Sequence, residues 1–317
     1  MGEAVDLLPS VLREVVAQSD AAEATGWVLH ASHLSGTQVV VLMVGLPGEP
    51  PAAVVKIPST SEGVASQRRE AEALAALRSE PSVGDLAALI PGRLAEGEVA
   101  GIAYTVERAV PGVEGRVLLG DPAMRDRVVA AAAGVIRRLH RATATTALVD
   151  DELLERWVSS RARLLAPATR NAAALERLER LLRRAWEGRS VEVAWVHGDY
   201  WPANVIFDRE SASRTGSGDL KVTGIIDWEW AAPRELPAHD LLYLAIHMRM
   251  QAEGRELGPV VQSLLAGDAS ELAGDADRET LLVVWLRHLA YNLTQSPGDA
   301  RNWIWTSRNV DAVLRAL

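Results

Sequence analysis

Three oxygen-bearing side chains lie close together in one stretch of the sequence, VHGDYWPANVIFD, followed after a short interval by LKVTGIIDWEW. Asp199 is followed five residues later by Asn204, and Asp227 ends the next apolar run. Pro202 excludes a continuing helix, so Asp199 lies on an irregular loop. Carboxylate and amide oxygens are the ligands that Mg²⁺ prefers, and an exposed loop carboxylate can accept a hydroxyl proton. These residue types indicate a site for magnesium-bound phosphate and proton transfer.

Two short apolar runs position these side chains. Residues 205–207 form a run too short for a helix, and residues 222–226 form a second one. The interval 209–219 is rich in Ser, Gly, Asp and Arg, so the two runs are predicted to form a β-hairpin with a polar tip. Pairing of these strands brings Asn204 beside Asp227, where both can share one cation.

The Asp-x-x-x-x-Asn spacing with a later Asp matches the template for phosphoryl transfer by kinases. HGDYWPANVIFD followed by GIIDWEWA resembles the aminoglycoside phosphotransferase and choline kinase family, whose members carry His-Gly-Asp-x-x-x-x-Asn and then Ile-Asp-Trp. The resemblance implies an α+β, two-lobed, protein-kinase-like fold. Its small β-rich, nucleotide-binding lobe would span residues 1–108, and a larger, mostly helical catalytic and acceptor-binding lobe would span residues 109–317.

The resemblance also implies a reaction and roles for the motif residues. The expected reaction moves the γ-phosphate of ATP to a hydroxyl of a small molecule, with an aminoglycoside or amino sugar type acceptor expected. Asp199 would orient and deprotonate that hydroxyl, and Asn204 and Asp227 would hold Mg²⁺. The sequence leaves open the acceptor's identity, the choice of ATP or GTP, and a role in antibiotic resistance or biosynthesis.

A lysine within a strand is the candidate contact for the nucleotide phosphates. Arginine supplies 31 of the 33 basic residues, so Lys56 within the apolar run AAVVKI is unusual for this chain. A strand-held ammonium can act as a point charge on the α- and β-phosphates. The alternative is a lysine that extends from a strand end to solvent.

This lysine needs an acidic partner on the following helix, predicted from QRREAEALAAL. Glu70 lies four residues before Leu74 and seven before Leu77, so it shares the face that these leucines bury. Glu72 points roughly the other way. Glu70 is therefore the predicted partner of Lys56, with Glu72 as the alternative.

Two further segments are expected to contact the nucleotide. Ser35, Gly36 and Thr37 lie in a turn between two predicted strands and would offer backbone donors to the phosphates. The family resemblance places the adenine contact in the stretch from Glu107 to Ala109, through main-chain groups. Glu107 and Ala109 are therefore expected cofactor-binding residues.

Composition narrows the class of protein. The chain has 317 residues, 48% of them hydrophobic and 24% charged, which is ordinary for a globular protein. There is no cysteine, which excludes disulfides and thiolate chemistry. A formal net charge of -9 argues against a nucleic-acid partner. No leader or membrane span is evident, so a cytoplasmic protein without a membrane partner is expected, its oligomeric state unknown.

The negative charge is concentrated in one span. Residues 219–279 hold twelve Asp and Glu against five Lys and Arg. These carboxylates could line an acidic cleft for a cationic acceptor, or they could be a solvated surface, and the sequence does not choose between the two.

Two other functions remain as alternatives. The first is a kinase-like module that binds nucleotide without catalysis. The second is a metal-dependent phosphohydrolase built on the pair His239-Asp240, but only His247 and His288 follow as further histidine ligands. Asp240 is instead expected to support the catalytic loop.

The aromatic residues of the motif region fit two interpretations. Trp201, Trp228 and Trp230 could form the wall of a substrate pocket or belong to the core. Glu229 follows Asp227 by two residues, so in an extended segment it would project on the same side.

Overall fold

The computed structural model describes residues 2–213, 219–267, 276–295, 298 and 301–317. The chain divides into two compact units, residues 1–135 with 202–231 and residues 136–201 with 232–317. Each unit has its own hydrophobic core. Part of the predicted hairpin tip, residues 214–218, lies outside the described residues.

The first unit contains a five-stranded antiparallel sheet with the strand order β1-β2-β3-β5-β4. Its strands are β1 Val28–Leu34, β2 Val39–Gly45, β3 Ala53–Pro58, β4 Arg93–Val99 and β5 Ile102–Arg108. Helix α1 (Gly2–Gln18) shares one core with the sheet, and its Val11 and Val15 are fully buried there. The two predicted strands around the turn at residues 35–37 and the predicted strand that carries Lys56 are present.

Helix α2 (Ser61–Ser79) follows β3 directly. Thr60 caps its N-terminus by accepting a hydrogen bond from the Gly63 amide. Its buried face includes Glu70, Leu74 and Leu77, as the spacing of these residues predicts. A 3₁₀ segment, Pro81–Leu89, then leads to β4.

The predicted hairpin is present in the first unit. Strands β9 (Val205–Phe207) and β10 (Val222–Ile225) pair antiparallel, and β6 (Val113–Glu114) adds a third strand beside β9. Short helical segments accompany this sheet: α3 Gly115–Leu118, the 3₁₀ turn Pro202–Asn204 and α8 Arg209–Ser213. Asn204 directly precedes β9 and Asp227 follows β10, so the pairing of the two strands brings these ends of the hairpin together.

The second unit combines a small sheet with most of the helices. Its strand order is β11-β8-β7. The strands are β7 Thr145–Leu148, β8 Ser190–Val196 and β11 Ala232–Glu235. The helices after α3 are α4 Pro122–Thr143, which has residues in both units, α5 Asp151–Leu154, α6 Ser160–Leu165, α7 Ala172–Trp186, α9 Ala238–Glu253, α10 Leu257–Gly267, α11 Arg278–Gln295, α12 Trp303–Thr306 and α13 Ala312–Arg315.

The helical region 151–186 consists of shorter pieces. A π-helical turn, Glu155–Ser159, joins α5 to α6, and the 3₁₀ turn Ala166–Ala168 contains Pro167, which cannot continue a helix. Asn171 then caps α7 through the Ala174 amide. A second π-helical turn, Ser307–Asp311, precedes α13. Among the helices of the described residues, none is both long and apolar enough to span a membrane.

Candidate active site

Lys56 and Glu70 form a buried ion pair in the first unit. Lys56 extends from β3, and its Nζ lies 2.6 Å from Oε2 of Glu70 on α2. Lys56 is only 8% exposed. The alternative partner Glu72 is exposed and instead pairs with Arg68 on the same helix. The structure therefore brings together the lysine and the glutamate that helix periodicity selected.

A second buried carboxylate contacts the same ammonium. Oε2 of Glu107 on β5 lies 3.2 Å from Lys56 Nζ, and Oδ1 of Asp227 lies 3.7 Å from it. Burial by itself lowers the pKa of Lys56, but the carboxylates of Glu107, Glu70 and Asp227 raise it well above the usual value. Lys56 is therefore protonated at neutral pH.

The side-chain contact of Glu107 was not anticipated, because the sequence suggested only main-chain contacts there. Tyr104 and Val106 on β5 are buried in the core that includes α1, so alternation along the strand turns Glu107 to the opposite face. Lys56 and Val54 share the corresponding face of β3, where Val54 pairs with Glu107. This alternation along β3 and β5 is the sequence pattern from which the contact between Glu107 and Lys56 could have been predicted. Burial raises the pKa of Glu107, while Lys56 opposes this shift.

The end of the hairpin positions Asp227 next to this cluster. The Ile226 amide donates to the Asn204 carbonyl (3.0 Å), so the register brings Asn204 beside the residue that precedes Asp227. Asp227 has a φ of 61°, a left-handed conformation that is uncommon for a residue other than glycine. Its side chain is 54% exposed. The backbone turns sharply here and the carboxylate keeps access to solvent.

Glu229 lies in the turn that follows Asp227, and its charge adds to the rise in the pKa of Asp227 that burial causes. The carboxylate of Glu229 accepts hydrogen bonds from the Ser66 hydroxyl of α2 and from Nε1 of Trp230. The Arg69 guanidinium lies 4.6 Å from the centroid of the Trp230 ring, while Trp228 is fully buried in the core. Glu229 and Trp230 thus attach the turn after Asp227 to α2.

The side chains expected to hold magnesium fit that ion by type. Asn204 and Asp227 offer hard oxygen atoms, and Mg²⁺ is usually bound by one or two such protein groups together with phosphate and water oxygens. In the part of the chain that the structure describes, no group of three or more His, Cys, Asp or Glu residues is placed to hold a metal.

A cavity of about 610 Å³ lies within the first unit. Its volume is in the range of small-molecule sites. Apolar side chains form much of its wall. They come from the large sheet (Met43 and Val54), from the segment after β5 (Val110) and from the hairpin (Ile206 and Ile226). These walls suit a flat aromatic ligand such as a nucleotide base.

The backbone groups expected to contact a nucleotide are partly engaged within the protein. The Ser35 amide donates to the Val39 carbonyl (2.9 Å) to close the turn between β1 and β2. The Ala109 amide donates to the Ala52 carbonyl (2.9 Å), although Ala109 itself lines the cavity. Gly36 and Thr37 remain the expected donors in the turn, and Glu107 contributes its side chain to Lys56.

Asp199 belongs to the second unit, on the loop after β8. Its Oδ2 accepts a hydrogen bond from the Tyr291 hydroxyl of α11 (3.3 Å), and the Tyr243 side chain of α9 also hydrogen-bonds to it. Its amide donates to Nδ1 of the buried His197 (3.3 Å). The two tyrosines orient the carboxylate, while His197 holds the backbone of Asp199. Neither tyrosine was identified from the sequence.

Asp240 supports the same loop from the start of α9, as expected. Its Oδ2 accepts from the His197 amide and contacts Nε2 of His140, and its Oδ1 accepts from the Gly198 amide, each at 2.9 Å. Burial would raise the pKa of Asp240, but the hydrogen bond with His140 and the amide donors lower it. His239 is only 2% exposed. His239 is thus buried, and the carboxylate of Asp240 is occupied by hydrogen bonds within the protein.

Several carboxylates of the acidic span are paired in the described part of the second unit. Five of its carboxylates have arginine or histidine partners: Glu235 with Arg161, Asp240 with His140, Glu253 with Arg249, Glu256 with Arg308 and Asp277 with Arg189. Asp268, Glu271 and Asp275 lie outside the described residues. Both interpretations of the acidic span therefore concern carboxylates that already have basic partners.

Comparison with known proteins places the chain in a family. The family model of the phosphotransferase enzyme family matches residues 31–276. The chain belongs to this family, which confirms the resemblance drawn from the two motifs, and it is a small-molecule phosphotransferase. A search of the curated proteins finds no match.

Solved structures show the fold. The chain is similar to an aminoglycoside-3'-phosphotransferase of type VIII with 23% identity and a TM-score of 0.51, over 90% of this chain and 98% of that one. It is also similar to a mutant aminoglycoside 2'-phosphotransferase-IIIa in complex with GDP, with 16% identity, a TM-score of 0.55 and coverage of 98% and 97%.

A third similar structure is the aminoglycoside phosphotransferase APH(3'')-Id from Streptomyces rimosus, in complex with ADP and streptomycin. The identity is 18% and the TM-score 0.51, over 90% of this chain and 98% of that one. These likenesses confirm the predicted α+β, protein-kinase-like fold.

Proposed function

We propose that this protein transfers the γ-phosphate of ATP to a hydroxyl of a small molecule, with Asp199 as the catalytic base. The observation that carries the proposal is the buried cluster in which Lys56 contacts Glu70 and lies 3.7 Å from Asp227. A lysine on a strand, fixed by a glutamate of the next helix, is the arrangement that kinases use to bind nucleotide phosphates.

The cavity in the first unit supports the nucleotide part of the proposal. Its apolar walls would enclose the adenine, with Ala109 at one edge, and Gly36 and Thr37 would donate to the phosphates. Two similar structures hold ADP or GDP, so the same class of ligand is proposed for this chain. Residues 1–108 are proposed as the nucleotide-binding lobe, and residues 109–317 as the catalytic and acceptor-binding lobe.

The proposed chemistry requires a base and positioned charges. The acceptor oxygen forms a bond to the γ-phosphorus as the bond from that phosphorus to the β,γ-bridging oxygen breaks, which releases ADP. Asp199 accepts the hydroxyl proton, and the hydrogen bonds from Tyr291 and Tyr243 hold its carboxylate in one orientation. Lys56 stabilises negative charge on the phosphates.

Asn204 and Asp227 would hold magnesium. When bound, this ion offsets charge on the β- and γ-phosphate oxygens. The turn at Asp227 is attached to α2 through two glutamates, because the Trp228 amide donates to Glu70 Oε1 and the Ser66 hydroxyl donates to Glu229. These contacts fix the backbone on which the carboxylate would meet the metal.

The acceptor is proposed to be an aminoglycoside or amino sugar type molecule, as in the similar structure that contains streptomycin. An ATP-dependent reaction of this kind is compatible with the cytoplasmic location expected from the sequence. Its role would be either antibiotic inactivation or a biosynthetic step.

The test is a direct assay of phosphotransfer. Purified protein is incubated with ATP, Mg²⁺ and a panel of aminoglycosides, amino sugars, macrolides and choline-like alcohols, and phosphorylated products are identified by mass spectrometry. The proposal expects one product and an equal amount of ADP. ATP binding without any product across the panel would favour the binding module instead.

The phosphohydrolase alternative gives a different pattern. Phosphate release that survives Asp199→Asn but not His239→Ala would support it. Two observations argue against the phosphohydrolase: His239 is buried, and both oxygens of Asp240 accept hydrogen bonds from the loop before Asp199.

A further inference from the structure

A row of aromatic and imidazole rings lies beside Asp199 in the second unit. Trp201 packs against His247 with 4.3 Å between ring centroids, and Tyr243 lies 6.0 Å from His247. Tyr243 packs against His288 at 4.6 Å, and His288 is 6.0 Å from Tyr291 in a stacked arrangement. These five residues are called the ring row.

Helix periodicity assembles the ring row. Tyr243 and His247 are one turn apart on α9, and His288 and Tyr291 are within one turn of each other on α11, so each helix presents two rings on one face. Trp201 follows Asp199 by two residues, and the Tyr291 hydroxyl donates to Asp199. Two members of the row, Tyr291 and Tyr243, therefore hydrogen-bond to the proposed catalytic base.

The histidines of the row are neutral at physiological pH. Burial lowers the pKa of His247 to about 4 and that of His288 to about 3. Asn292 and His288 are hydrogen-bonded at 3.0 Å, which helps to fix that imidazole. The rings thus form an uncharged surface around a single carboxylate.

The partial exposure of the row makes it available to a ligand. Trp201, His247, His288 and Tyr291 are all only partly buried, whereas Tyr243 is buried beneath them. Aromatic faces of this kind bind apolar faces of ring compounds, including the C–H face of a sugar.

The charges nearby argue against a polycationic ligand. Each ammonium of such a ligand leaves water favourably only if it meets a carboxylate. The side chains that hydrogen-bond to the ring row include Gln251 and Asn292, which are neutral, and Asp199. Among these partners, Asp199 alone carries a negative charge.

We infer that the acceptor lays the face of a sugar or aliphatic ring on Trp201 and carries at most one positive charge. This inference rests on the proposed function and specifies its acceptor class. Within the amino sugar type molecules proposed above, it selects glycosides with a single amine over polycationic aminoglycosides. Trp201 is then a specificity-determining residue that acts on acceptor binding more than on the chemical step.

The test compares three acceptors and three variants. The probes are a macrolide glycoside with one amino sugar, kanamycin with several amines, and choline as a small cation without a ring. The variants are Trp201→Ala, Trp201→Phe, which keeps a ring, and the control Trp303→Ala, whose side chain is 62% exposed on α12. For each protein, ATP affinity, acceptor affinity, kcat and KM are measured.

The inference expects the macrolide to have the highest kcat/KM. Trp201→Ala should raise its KM about tenfold with kcat changed less than threefold, Trp201→Phe should restore most of the affinity, and Trp303→Ala should match the parent protein. A higher kcat/KM for kanamycin or choline, or an unchanged KM in Trp201→Ala, would overturn it.

Failure of the proposed function looks different. If the protein does not bind ATP, the kinase proposal itself is wrong. If it binds ATP but neither binds nor phosphorylates the macrolide, only the inference about the acceptor is overturned.

Discussion

Glu70 joins Lys56 to the segment that carries Asp227. One oxygen of its carboxylate lies 2.6 Å from Lys56 Nζ, and the other accepts a hydrogen bond from the Trp228 amide (3.3 Å). A single side chain on α2 thus holds Lys56 of β3, the proposed contact of the nucleotide phosphates, and the turn that presents the proposed metal ligand. The position of α2 relative to β3 therefore decides whether both groups are in place.

Glu70→Gln is expected to lower kcat/KM for ATP about 100-fold, because the neutral amide no longer fixes the Lys56 ammonium and misplacement by about 1 Å has a cost of this size. Steady-state kinetics at varied ATP concentration measures the change. Glu72→Gln is the matched control on the same helix, since Glu72 pairs only with Arg68 at the surface. It should stay within twofold of the parent protein. Equal losses in the two variants would contradict the role given to Glu70.

Glu107→Gln should raise the free energy of unfolding at pH 7 or leave it within about 1 kcal/mol of the parent value. Burial raises the pKa of Glu107, so the folded protein disfavours its charged form, and Lys56 keeps its contact with Glu70. Urea denaturation followed by circular dichroism measures the change. Glu96 pairs with Arg93, which also lies 3.6 Å from Glu107, but Glu96 has an exposed side chain, so Glu96→Gln is the control and should also stay within about 1 kcal/mol. A loss of about 3 kcal/mol in Glu107→Gln would show that its charge stabilises the folded protein.

Asp240→Asn should lower kcat at least tenfold and leave ATP affinity unchanged. The two oxygens of Asp240 accept from the backbone amides of His197 and Gly198, and one of them also contacts His140. An asparagine side chain has only one acceptor oxygen, so at least one of these backbone amides loses its partner. Asp151→Asn, an exposed aspartate that pairs with Arg183, serves as the control and should not change kcat. Normal turnover in Asp240→Asn would mean that the loop is positioned by other contacts.

His239 should make the protein less stable as the pH falls. Its burial, together with Arg287 and Arg161, lowers its pKa well below the usual value, whereas in the unfolded chain the pKa is about 6.5. Between these two values the unfolded state binds more protons. Stability is therefore fully present above about pH 6.5 and decreases below it, by at most about 1.4 kcal/mol per pH unit for this group.

The corresponding experiment measures urea unfolding from pH 7.5 to 5. His239→Gln should show a smaller decrease on acidification than the parent protein, because it lacks this titrating group. His33→Gln changes an exposed histidine of β1 and should keep the parent slope. If His239→Gln also keeps the parent slope, the buried imidazole is not neutral in the folded protein.

Local patterns in the sequence were sufficient for the hairpin and for the choice of Glu70. Residues 205–207 are too short and apolar for anything but a strand, and the face shared with Leu74 and Leu77 turns Glu70 inward. These features could be predicted from the sequence because they depend on the types and spacing of a few neighbouring residues.

Contacts between distant segments could not be obtained in this way. The neighbours of Asp199 come from Tyr243 and Tyr291, which are more than 40 residues away in sequence, and only the packing of α9 and α11 decides that they meet it. The φ of Asp227 was also missed, since its residue type does not favour a left-handed conformation strongly enough to predict one. The pairing of carboxylates in the acidic span was also out of reach, because net charge does not show which carboxylates are paired.

The most direct measurement of the central claim is a single-turnover assay of phosphotransfer by Asp199→Asn, with ATP affinity measured on the same protein. Replacing the carboxylate by an amide removes the base and keeps the shape, so the rate of product formation should fall at least 1,000-fold, roughly the loss for a general base, while ATP affinity stays within twofold. An unchanged rate of phosphotransfer in Asp199→Asn would contradict the assignment of Asp199 and, with it, the proposed reaction.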